Sequence, residues 1–78
     1  MLFRSKTTGL ALNCRKEERD GVVIVRCAPI DKREDIRQEL GERETVFKVM
    51  NGKLELIDDG GVPKHIMKEL DDYLRRML

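Results

Sequence analysis

Residues 44–58 read ETVFKVMNGKLELID, Glu44 to Asp58, and two alternating runs flank Asn51-Gly52 at their centre. Asn-Gly is the strongest short hairpin signal, because both residues tolerate positive φ and fit a two-residue type I′ turn. That turn fixes the register: Met50 opposite Lys53, Val49 opposite Leu54, Lys48 opposite Glu55 and Phe47 opposite Leu56. One face then collects Phe47, Val49, Leu54 and Leu56. The other carries the Lys48/Glu55 pair beside Val46 and Ile57, with opposite charges facing each other across the strands.

Working outward, Leu10, Leu12 and Cys14 alternate in LALNCRKE, and Asp20-Gly21 turns the chain into the β-branched run Val22 to Ala28. A two-residue turn there sets Cys14 opposite Cys27, Lys16 opposite Val25 and Glu18 opposite Val23. The same register sets Arg15 opposite Arg26, an unfavourable like-charge pair that a longer loop through Glu18 and Arg19 would avoid. Pro29 ends the strand. Asp31 with Glu34 resembles a capping box and predicts a helix from Lys32 to Leu40, which Gly41 terminates. After the second hairpin, Gly60-Gly61 breaks the strand and Pro63 suits the first turn of a final helix. On that helix Ile66, Met67, Leu70, Tyr73, Leu74, Met77 and Leu78 share one wide face. His65 points away from it.

The expected fold is therefore α+β in the order ββαββα, a four-stranded largely antiparallel sheet with two helices packed on one face. Residues 1–78 form one small domain, in which residues 1–9 are a short edge strand or a loosely ordered N-terminus. Phe47, Leu56, Leu70 and Leu74 are the expected centre of the core.

Composition narrows the function. With 40% apolar and 40% charged residues, the chain is near the size where one core only just outweighs chain entropy. Sixteen basic and 15 acidic residues give a net charge of +1, so no global field favours a polyanion or an acidic membrane. Few amides among many charges is the balance of heat-stable proteins, which suggests a prokaryotic and thermophilic source. No apolar run is long enough for a signal peptide or a membrane span, and a cytoplasmic location is expected.

Catalytic chemistry finds little support. Cys14 and Cys27 form no CxxC and meet only one histidine, so they read as small buried apolar residues and as free thiols. His65 is the sole neutral-pH base, and no phosphate-loop, dinucleotide or zinc-protease motif is present. Gly60-Gly61 ahead of Lys64 could cradle a phosphate, but Asp58 and Asp59 repel an anion there. If the first helix returns the chain across the sheet, three loops share one end of the molecule. That end gathers Glu17, Glu18, Asp20, Glu42, Glu44, Asp58 and Asp59, a candidate site for a hard cation, calcium or magnesium. Arg19, Arg43 and Lys64 partly neutralise it.

The segment VVIVRCAPIDKREDIRQELGERETVFKVMNGKLELID, about half the chain, also resembles the AbrB/MazE family of swapped-hairpin DNA-binding domains, in which a strand, a short helix ending in Leu-Gly and a hairpin follow in this order. The resemblance implies an intertwined homodimer that presents Lys32, Arg33 and Arg37 to DNA. This chain departs from the family where Arg26 to Ile30 separate strand from helix and where Glu42-Arg43-Glu44 replaces a Gly-Asp loop. The sequence thus predicts a non-enzymatic binding module for a protein partner or a divalent cation, monomeric or homodimeric. An AbrB/MazE-like DNA-binding regulator is the alternative.

Overall fold

The computed structural model of the chain describes residues 1–30 and 44–78. Its elements are β1 (Leu2–Arg4), β2 (Ala11–Arg19), β3 (Val22–Pro29), β4 (Thr45–Met50), β5 (Lys53–Asp58) and α1 (Lys64–Met77). The strands form a single antiparallel sheet in chain order, β1-β2-β3-β4-β5.

Both hairpin registers follow from their turns. Cys14 pairs with Cys27 and Lys16 with Val25, while Val49 pairs with Leu54 and Phe47 with Leu56. Asp20, Gly21, Asn51 and Gly52 all take positive φ, as two-residue primed turns require. The Arg15/Arg26 opposition is present and is relieved sideways: Arg15 Nη2 lies 3.0 Å from Glu44 Oε2, and Arg26 Nε lies 3.9 Å from Glu17 Oε2.

The expected architecture is corrected in two respects. Among the described residues there are five antiparallel strands and one helix, in place of a four-stranded sheet covered by two helices. Leu2–Arg4 is a paired fifth strand, and the helix expected over Lys32 to Leu40 lies outside the described residues. Second, β4 runs antiparallel to β3, with Val23 opposite Val49 and Cys27 opposite Thr45. The expected return across the sheet would have made them parallel. An antiparallel neighbour needs no return crossing and makes the more stable ladder per residue.

The core is built from Phe3, Leu12, Cys14, Val25, Cys27 and Phe47 of the sheet against Ile66, Leu70 and Leu74 of α1, closed by Leu10 and Val62. The i, i+4, i+8 spacing of Ile66, Leu70 and Leu74 places all three on one stripe of α1. Phe47, Leu70 and Leu74 are buried as expected, but Leu56 is 47% exposed. Geometry explains that correction. Five strands about 4.8 Å apart make a sheet about 19 Å across, whereas one helix with its side chains covers about 10–12 Å. One helix therefore cannot cover both edges.

Side-chain bonds decide which edge α1 covers. Tyr73 packs edge-on against Phe3 at 5.5 Å, and its hydroxyl donates to the Leu2 carbonyl at 3.0 Å. Glu69 accepts from Ser5 Oγ at 2.7 Å and from the Lys6 N–H at 2.8 Å. These contacts hold α1 toward β1 and leave β5 beside it. No helix among the described residues is long and apolar enough to cross a membrane.

Candidate interaction surface

The β5 edge is the most unusual surface of the molecule. A bulge at Val46/Phe47 sets Val46 opposite Asp58, so Ile57 has no partner residue across the ladder. Ile57 is 56% exposed next to Leu56. In a two-residue hairpin the residues flanking the turn exchange both backbone bonds, and bonding alternates from there. Lys53 and Glu55 thus direct their N–H and C=O groups to β4, and Leu54 and Leu56 direct theirs outward. Among the described residues no strand lies beyond β5.

Beside this edge, Val49, Gly52, Leu54, Leu74, Arg75 and Leu78 line an open groove of about 240 Å³ between the second hairpin and the end of α1. Leu78 is 45% exposed at the rim.

Among the described residues the candidate cation ligands do not come together at one end. With β3 and β4 antiparallel, the Asp20-Gly21 turn lies at the same end as Asn51-Gly52, and Glu44, Asp58 and Asp59 lie at the other. About seven residues of strand, roughly 20 Å, separate Asp20 from Glu44. Glu18 is exposed near the first turn, and Glu17 lies along β2 within reach of Arg26. Glu42 falls outside the described residues, as do Lys32, Arg33 and Arg37 of the DNA-binding alternative. Among the described residues no group of three or more His, Cys, Asp or Glu could hold a metal ion. The direction of β4 thus keeps the described members of the expected cluster at two ends of the sheet.

At the Asp58 end the carboxylates organise the chain instead. The Gly60 N–H donates to Asp58 Oδ1 at 2.9 Å and the Gly61 N–H to Asp59 Oδ1 at 2.8 Å. The amides that a phosphate would need are therefore already occupied by carboxylate. Gly60 is required on two counts: its φ is +61°, and a Cβ there would sit 2.8 Å from the Glu44 carbonyl carbon and oxygen.

Buried thiols and a lone histidine complete the inventory. Cys14 and Cys27 are free and buried, while His65 is exposed on α1. A thiol hydrogen bond from Cys27 to Cys14 pushes the Cys27 pKa up and draws that of Cys14 down, with burial opposing the latter. Glu69 is held below the ordinary carboxylate range, first by Ser5 and then by the Lys6 amide.

Sequence reasoning missed Glu69 as the anchor of residues 5–8, since nothing local marks it out from the other acids of the helix. It also missed the exposure of Leu56, which depends on where α1 settles. No protein-family model, curated protein sequence or solved structure matches the chain.

Proposed function

We propose that this chain is a small non-enzymatic interaction module that docks by strand addition along β5, with a second copy of the same chain as partner. The observation that supports this reading is the adjacent pair Leu56 and Ile57, 47% and 56% exposed on an edge strand. The outward backbone groups of such an edge template another strand, and the charges that ordinarily blunt it, here Lys53 and Glu55, are of opposite sign and so can pair with a second copy.

The sequence of β5 is self-complementary in one register. Consider antiparallel pairing about a two-fold axis at Leu54, which keeps each face of the sheet continuous. Leu54 then meets Leu54 of the second copy, and Lys53 meets Glu55 in both directions. Opposite charges across such a pair contribute about 0.2–1 kcal/mol each. Leu56 of one copy falls beside the Asn51-Gly52 turn of the other, next to the groove, and the contact repeats in both copies as an isologous one requires. Shifting the axis to Glu55 would instead set like charges face to face.

A six-residue strand pair is a small contact of the transient class, so association is weak. Sedimentation equilibrium over a concentration series reaching about millimolar should show a reversible dimer. Leu56→Lys should abolish it without unfolding the chain. A monomer throughout, or a dimer that survives Leu56→Lys, would refute the reading. Complex formation only on adding duplex DNA would favour the AbrB/MazE-like alternative. Association that appears only with calcium would instead restore a role for the carboxylates.

A further inference from the structure

We infer that Cys14 and Cys27 form a site of reversible oxidation, closing to an intramolecular disulfide with a small peroxide as oxidant. The inference begins with the backbone. The Cys14 N–H donates to the Met1 carbonyl at 2.7 Å, and the Met1 ammonium donates to the Cys14 carbonyl at 2.7 Å. Both polar groups of Cys14 therefore face β1, which makes Cys14/Cys27 a non-hydrogen-bonded pair with β3. Such pairs have Cα atoms about 4.5 Å apart and carry their side chains on the same face. That spacing lies inside the range of about 4.4–6.8 Å that a disulfide spans, at its short end.

The two cysteines face each other within the core, at 1% and 0% exposure. Among the described residues no third ligand joins them to hold a metal. A bond between the two sulfurs therefore needs no separation of β2 from β3, and a dithiol that closes in place can be reopened by a reductant.

The chemistry balances with peroxide alone. Cys14, the acceptor of the thiol hydrogen bond, loses its proton and attacks the peroxide oxygen, breaking the O–O bond and leaving a sulfenic acid and water. Cys27 then attacks the Cys14 sulfur, the S–S bond forms, and the sulfenic hydroxyl leaves with the Cys27 proton as a second water. Two thiols and one hydrogen peroxide give one disulfide and two waters. Burial confines the first step to local opening of the fold, so the reaction is slower than at an exposed thiol.

Treating the native protein with hydrogen peroxide and weighing it intact tests the inference. Expected are a loss of two hydrogen atoms, one linked peptide joining Cys14 to Cys27, and full recovery of both thiols with dithiothreitol. Cys27→Ala should instead accumulate a sulfenic acid at Cys14 that dimedone traps. The wild-type mass settles the matter even where that variant fails to fold. Stable sulfinic or sulfonic products, a disulfide between two chains, or oxidation seen only in denaturant would each overturn the proposal.

Discussion

The two edges of the sheet differ in how they are finished. β1 is three residues long, yet Met1 just before it is tied to Cys14, its Phe3 is buried, and Tyr73 and Glu69 of α1 hold it and the following turn from above. β5 is twice as long and leaves Leu56 and Ile57 in water. The one helix among the described residues covers one edge, and the difference teaches that polar bonds from α1 to residues 2–6, and not strand length, decide which edge is covered. Closing β1 takes polar bonds from the helix; leaving β5 open takes only the width of the sheet.

Removing what both edges share should have the largest effect. Leu70 is fully buried under α1, so Leu70→Ala should cost about 2–5 kcal/mol, measured by urea unfolding. For a domain this small, that unfolds much of the population. Gly60→Ala comes next, because the left-handed backbone and the contact with Glu44 must both be relieved. A loss of about 1–3 kcal/mol is expected, and an unchanged midpoint would mean that the join between β5 and α1 gives way freely.

A gentler change separates the edges. Tyr73→Phe removes the hydroxyl that reaches Leu2 and keeps the ring against Phe3, so stability should fall by about 0.5–1 kcal/mol. Amide exchange should quicken at Cys14, whose N–H bonds Met1, while the β4–β5 hairpin stays as it was.

Acid tests the same latch. Glu69 has a depressed folded pKa, so its contribution is fully present above the ordinary glutamate value of about 4.3. It is lost as pH falls through the lower folded value. Resonances of residues 5–8 should therefore move in acid together with the Glu69 carboxyl, and Glu69→Gln should remove that coupling. The smallest effect on stability belongs to Leu56→Lys, expected within about 0.5 kcal/mol because the side chain is already half in water.

Much of this contrast was legible along the chain, and the part that was not has a physical reason. Asn51-Gly52 set the second hairpin's register because turn geometry is local, while at Asp20-Gly21 a longer loop stayed open beside the two-residue turn that the structure has. Phe47, Leu70 and Leu74 could be placed in the core by period alone. The direction of β4 could not, since Glu44 to Asp58 reads identically beside a parallel or an antiparallel neighbour. The seven-carboxylate cluster depended on that direction, and the antiparallel β4 sets Asp20 at the opposite end of the sheet from Glu44, Asp58 and Asp59. The Arg15/Arg26 opposition, unfavourable when only two strands are considered, is answered by Glu44 and Glu17, of which only Glu17 shares the hairpin. Leu56 was misplaced because alternation shows which face a residue takes and not whether a helix reaches it.

The central claim, that β1 is closed and β5 is open to a second copy, is tested most directly by amide exchange followed residue by residue at rising protein concentration. Leu54 and Leu56, whose N–H groups point away from β4, should become protected as concentration increases. The Cys14 amide and the core of α1 should exchange at constant rates. Protection at Leu54 and Leu56 that does not change with concentration, or that grows at β1 instead, would contradict the account.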